Sequence, residues 1–200
     1  MNQRTIVEFF DRLAPDWDAQ LVVDEDKIRR ILDAAGVCPG AAVLDVACGT
    51  GVLFPFYAQR GVGRVMAVDI SPEMARIADA KAGPGVEVIC GDVEALPPTP
   101  AYDCCVVYNA FPHFPDPGRL VGHLARWLRP GGRLTVAHGM GIAQLNRHHA
   151  GHAADVSRGM LPAPELAALF SPFLQVDTVL SDEGIYIVSG ALSQPAEGAR

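Results

Sequence analysis

Five short apolar runs alternate with longer stretches of helical periodicity, and this alternation constrains the fold more than any other feature. The runs are AVLDVA (42–47), VMAVDI (65–70), VEVICG (86–91), DCCVVYN (103–109) and RLTVAH (133–138). Each has the length and β-branched content of a buried strand. In EDKIRRILDAAG, Ile28, Ile31, Leu32 and Ala35 recur at i, i+3, i+4, i+7, and Gly36 stands where a helix C-cap belongs. SPEMARIADAKAG opens with Ser71 as N-cap, Pro72 at the first helical position and Glu73 in the first turn, and ends near Gly83. GRLVGHLARWLRPGG carries Leu120, Leu124 and Leu128 on one face, and the pattern predicts a helix that stops at Pro130. Strand alternating with helix gives a parallel sheet covered on both faces. After Pro164 a short helix (165–170) leads to LQVDTVL and GIYIVSGAL, separated by the turn-forming SDEG. The expected fold is therefore α/β, doubly wound: a seven-stranded, mostly parallel sheet with a C-terminal antiparallel hairpin at one edge. A single domain is expected over 1–192, with 193–200 as a frayed tail.

Composition narrows the classes of function. Of 200 residues half are apolar and a fifth charged, which excludes an intrinsically disordered chain. The net charge is −7 and only Lys27 and Lys81 supply lysine, so nucleic acid is not an expected partner. No apolar stretch approaches the roughly eighteen residues of a membrane helix. The first residues are polar and acidic where a secretory leader needs an apolar core, so a cytoplasmic location and no membrane association are expected. Cys38, Cys48, Cys90, Cys104 and Cys105 show no CxxC spacing and read as reduced thiols.

In doubly wound sheets ligands bind beyond the carboxyl ends of the strands, where strand order reverses. The first strand runs into D-V-A-C-G-T-G, Asp45 to Gly51, where Gly49 and Gly51 let the backbone turn tightly and approach a ligand. The second ends in Asp69, whose carboxylate can accept two hydrogen bonds from a ribose diol. A dinucleotide fingerprint would want glycine where Ala47 and Phe54 stand, and no G-K-[ST] phosphate loop is present. Asp45 would repel a phosphate and suits an ammonium group. The ligand implied is a nucleoside with a cationic amino-acid tail.

VLDVACGTG, AVDIS, GDVEALP, YDCCVVYNAF and LRPGGRL, in that order, resemble a class I S-adenosylmethionine-dependent methyltransferase, in particular the small UbiE-like or methyltransferase type 11 enzymes. The resemblance implies S-adenosylmethionine as cofactor and S-adenosylhomocysteine as product. By motif, Asp45 and the loop of Ala47, Cys48, Gly49 and Gly51 would hold the methionine end, and Asp69 the ribose. Ile70 and Met74 would pack on adenine, Asp92 beside Val93 would bond its amino group, and Asn109 would lie near the transferred methyl. The alternatives are a nicotinamide-dependent oxidoreductase on a similar sheet, or a catalytically inactive cofactor-binding module.

A nucleophile attacking a sulfonium methyl must be aligned, kept from water and relieved of a proton. His113, in N-A-F-P-H-F, and His138, at the end of the fifth strand, are candidate bases. Asn146 and His149 stand three residues apart, near one helical turn, so both could face one site. In HHAGH, Gly151 is expected to interrupt the helix, and no metal site is expected. The N-terminal segment 1–20 reads as a lid helix, with Phe9 and Trp17 as an apolar roof, and Phe111 and Phe114 as substrate walls. A small hydrophobic acceptor fits this lining, on a monomer or homodimer.

Overall fold

The computed structural model describes residues 2–152 and 155–194, except for the side chains of 148–152. In chain order the elements are α1 (Gln3–Gln20), α2 (Glu25–Ala34), β1 (Ala42–Val46), α3 (Phe54–Gln59), β2 (Arg64–Asp69), α4 (Pro72–Lys81), β3 (Val86–Cys90), β4 (Tyr102–Tyr108), α5 (Pro117–Ala125), β5 (Leu128–His138), α6 (Ile142–His152), α7 (Ala163–Phe170), β6 (Gln175–Ser181) and β7 (Tyr186–Ala191).

The seven strands form one sheet in the order β3-β2-β1-β4-β5-β7-β6. The first five run parallel and β7 joins β5 antiparallel, with β6 outermost. Strand order reverses between β1 and β4, which opens a crevice at their carboxyl ends. Two cores fill the faces. Leu120, Leu124, Leu166 and Phe170 pack on one side against Val107 and Val136. Ile28, Leu32, Phe54 and Tyr57 pack on the other against Val43 and Val106.

Local chemistry explains the helix starts. Asp24 caps α2 by accepting from the Lys27 N–H at 3.1 Å, with Glu25 and Asp26 in its first turn. Ser71 caps α4 by accepting from the Met74 N–H at 3.1 Å, ahead of Pro72. Two expectations fail. The helix expected to reach Pro130 ends at Ala125, and Leu128 is a strand residue paired with Tyr102, because β4 draws 128–138 into the sheet. The α6 helix runs through Gly151 to His152 rather than breaking there. A glycine inside a helix costs only about 1 kcal/mol.

Candidate functional site

The crevice above β1, β2 and β4 holds a cavity of about 310 Å³. Its floor is the turn after β1. Ala47 and Gly49 both take left-handed backbone, at φ +54° and +57°. Alanine is strained there by roughly 1–2 kcal/mol, the kind of local strain that collects at functional sites. No protein atom lies within 4 Å of where a Cβ on Gly49 would stand, so the cavity comes down onto bare backbone. At Gly51 (φ +83°) a Cβ would meet the Phe54 ring at 2.6 Å, so this glycine serves packing.

Asp69 ties the turn to β2. Its Oδ2 accepts from the Gly49 N–H at 2.8 Å and its Oδ1 from the Ser71 N–H at 2.9 Å. Burial pushes its carboxyl up from the usual carboxylate range, and these backbone bonds partly offset that. Each oxygen keeps a further lone pair for a hydroxyl donor. Ile70, Met74, Asp92 and Val93 line the cavity beyond it. Asp92 is already engaged: Oδ2 accepts from Gln3 Nε2 at 2.9 Å and Oδ1 from the Glu94 N–H at 2.9 Å. Asn109, at φ +55°, also faces the cavity, with Oδ1 accepting from the Gly139 N–H at 3.0 Å.

Asp45 is placed differently from expectation. It is 1% exposed and lies behind the turn rather than on the cavity wall. Its Oδ2 completes no hydrogen bond. Burial, together with the nearby Asp69 charge, pushes its carboxyl up to about 7, while Tyr57 acts weakly the other way. The ligand-free protein should therefore lose stability as pH rises. The fold favours the protonated acid, so its contribution is whole below the unfolded value near 4 and vanishes as pH rises through 7. Between pH 5 and pH 7 the loss is about 2 kcal/mol, or roughly 4–8 °C in Tm. Thermal melts of wild type and Asp45→Asn across this range check it: the slope should flatten in the variant, and an unchanged slope refutes the assignment.

The α1 helix covers the cavity with Gln3, Ile6, Phe10 and Trp17. It is held along its length: Asp11 Oδ1 accepts from Ser71 Oγ at 2.5 Å and from the Glu73 N–H at 3.1 Å, and Asp18 accepts from Thr50 Oγ1 at 2.6 Å and pairs with Lys81. The opposite wall carries His113. Its Nδ1 lies 2.8 Å from the Val156 carbonyl oxygen, and its ring stands edge-on to Phe10 at 4.9 Å. A carbonyl only accepts, so Nδ1 carries the proton and Nε2 is the basic nitrogen of the neutral ring.

Other expected residues fall elsewhere. His138 is fully buried at the end of β5, paired across the ladder with Tyr186 and edge-on to its ring at 6.2 Å, and is not on the cavity wall. Phe111 is in the core, while Phe114 lines the cavity, because a 3-10 turn over Phe111–His113 gives way to extended backbone at Phe114. Phe9 packs beside Ile6 and Val156 rather than facing inward. Asn146 Oδ1 accepts from the Met160 N–H at 2.6 Å and holds α6 to the following segment. The His149 side chain lies outside the described residues. The cavity also uses Leu21, Val52, Tyr108, Glu94 and Arg119, which no motif marked. Their only sequence signal was proximity to the ends of β1 and β4.

Sheet order, switch-point cavity, open glycine turn and Asp69 together define a Rossmann-like nucleoside-binding domain. Residues 43–132 match the family described as "Methyltransferase domain" (Methyltransf_25). A demethylmenaquinone methyltransferase of Renibacterium salmoninarum is 33% identical over 138 residues, covering 66% of this chain and 57% of that protein. The chain spans about half the length of the curated relatives it matches. Among solved structures, a Haloferax volcanii methyltransferase in complex with the Trm112 activator superposes with TM-score 0.78 at 21% identity, over 92% of this chain and 98% of that one. Magnesium protoporphyrin IX methyltransferase from Synechocystis, with bound S-adenosylhomocysteine, superposes with TM-score 0.71 at 19% identity, over 96% of this chain and 100% of that one. The chain belongs to the class I S-adenosylmethionine-dependent methyltransferases. Neither the nicotinamide oxidoreductase nor the inactive module is favoured.

Proposed function

We propose that the protein transfers a methyl group from S-adenosylmethionine to a small, hydrophobic S, O or C nucleophile by in-line attack. The observation that carries the proposal is the open backbone at Gly49 beside Asp69 in a cavity whose remaining wall is largely apolar. When bound, the cofactor supplies an electrophilic sulfonium methyl that needs no further activation. The chain's residues bind, orient and exclude water. Asp69 receives the ribose hydroxyls. Met74, Ile70 and Val93 flank adenine, and Asp92 takes its amino group on lone pairs that Gln3 and the Glu94 N–H leave over. Asn109 and the backbone of Ala47, Cys48 and Gly49 bound the methionine end. Phe10, Trp17 and Phe114 close the acceptor side from water, so α1 acts as the lid.

His113 takes the proton of the acceptor on Nε2, oriented through Nδ1 by the Val156 carbonyl. The only lysine or arginine among the described lining residues is Arg119, held by Glu94 at 2.7 Å and 3.1 Å, which leaves no cation to seat an anionic acceptor. An uncharged thiol, phenol or activated ring carbon fits. The quinone and antibiotic methylations named for relatives are of this kind. No described helix is long and apolar enough to cross a membrane. A cytoplasmic monomer or homodimer without a nucleic-acid partner is part of the proposal.

Calorimetric titration with S-adenosylmethionine and S-adenosylhomocysteine, with NADH as control, tests the reading. Micromolar binding of the first two and none of NADH is the expected result, followed by a methylation screen of thiols, phenols and quinones. Failure of both to bind folded protein overturns it. With an acceptor in hand, His113→Gln should lower kcat by roughly 10²–10⁴ while changing cofactor Kd less than about threefold. Equal losses in both would make His113 structural.

A further inference from the structure

One buried ionisable group has no part in the scheme above. Tyr57, on α3, packs beneath the glycine turn, fully buried among Val43, Cys48 and Val106. Its hydroxyl faces the Asp45 carboxyl closely enough to interact. The two are out of alignment for a hydrogen bond, and neither Tyr57 Oη nor Asp45 Oδ2 completes one. Such a buried pair is costly to leave unmade, and neither partner is positioned to find water. The ionisable groups facing Asp45 are Asp69 on β2, Tyr57 on α3, Cys48 in the turn and Cys105 on β4. All are neutral or acidic, so nothing in the protein compensates a negative charge on Asp45. The compensation has to come from the ligand.

We propose that Tyr57 is a positioning residue for cofactor capture: its hydroxyl closes onto Asp45 when that carboxyl ionises, and a cation seated over the glycine turn drives the ionisation. This rests on the reading that the cofactor's ammonium lies above Ala47, Cys48 and Gly49. Ligand-free, Asp45 is largely a neutral acid near pH 7 and the pair stays open. On binding, the Asp45 O–H bond breaks and the proton leaves to solvent. Tyr57 then donates its O–H to the new carboxylate without giving up its own proton, whose loss burial strongly disfavours. The aspartate acts through the turn as a buried anion where little water screens it.

The linkage gives a measurable signature. Cofactor affinity rises with pH until Asp45 is ionised in the free protein, then levels off. Removing the Tyr57 hydroxyl moves that plateau to higher pH and leaves its height alone. The test is calorimetric titration with S-adenosylhomocysteine from pH 5.5 to 9, in paired buffers of different ionisation enthalpy, on wild type, Tyr57→Phe and Asp45→Asn. Wild type should release roughly half a proton per ligand at pH 7. Tyr57→Phe should release more, bind several-fold more weakly at pH 7, and match wild type within about twofold at pH 9. Asp45→Asn should release none.

Absence of proton release from wild type overturns the proposal. So does unchanged release from Asp45→Asn, or a Tyr57→Phe loss equal at every pH, which marks a structural tyrosine. If S-adenosylhomocysteine binds at no pH, the functional reading fails and this proposal with it. The pairing is then still read without ligand. Carbon-13 carboxyl titration of Asp45 should show a midpoint that moves up in Tyr57→Phe, and an unmoved midpoint removes the pair itself.

Discussion

Gly49→Val is expected to weaken S-adenosylhomocysteine binding at least 100-fold, about 3 kcal/mol, and to abolish turnover. Two effects add. The site demands φ +57°, which a β-branched residue adopts only as an outlier. The new side chain would also project into the space over the turn, where no protein atom lies within 4 Å of the Cβ position. Because that space is empty, the fold bears only the backbone strain, and Gly49→Ala separates the two effects: about 1–2 kcal/mol of stability with a smaller loss of affinity. Titration calorimetry beside a thermal melt checks both. A folded Gly49→Val protein with unchanged affinity would place the cofactor somewhere other than over this turn. Gly51→Ala should behave in the opposite sense, lowering stability first, because the Phe54 ring at 2.6 Å must move.

Asp69→Ala should be nearly as damaging. The carboxylate accepts two backbone N–H bonds in the free protein, and we assign it the ribose hydroxyls as well. Hydrogen bonds to a charged group are worth roughly 1.5–3 kcal/mol each, so losing the ribose contacts alone weakens S-adenosylhomocysteine about 30- to 1,000-fold. The Gly49 and Ser71 N–H groups are left without acceptors, and Tm should fall with the affinity. Asp69→Asn keeps an oxygen for one of those donors and should recover part of the stability. Adenosine binding distinguishes ribose recognition from loosening of the turn. If Asp69→Ala lowers Tm but leaves adenosine affinity intact, Asp69 is a latch for the turn and not a ligand.

Most of the fold was legible from local pattern. The runs that became β1 to β4 are near-continuous apolar stretches, which is what a strand buried on both faces requires. The Asp24 and Ser71 caps act within three residues of themselves, so their chemistry is written beside the helix they start. The helix over 117–125 was misjudged at its far end. Leu120, Leu124 and Leu128 keep helical spacing, but Leu128 pairs with Tyr102 in the sheet, and long-range pairing overrides a marginal local preference.

The site divides along the same line. The glycine turn and Asp69 lie at consecutive strand ends of one βαβ unit, so a linear motif marks them. Which histidine faces the cavity is not a local matter. His113 is oriented by a carbonyl 43 residues away, and His138, equally placed at a strand end, is buried beside Tyr186 by the returning hairpin. Phe111 and Phe114 stand in one short string, yet one packs in the core and the other faces the cavity, through a change of backbone between them. The sequence by itself determined the strands, their order of chemistry and the turn that defines the family, because dihedral preference and apolar period act over a few residues. Only the tertiary structure decided the cavity's roof, its oriented histidine and the buried Asp45–Tyr57 pair, because those depend on which distant side chains share one low-dielectric space.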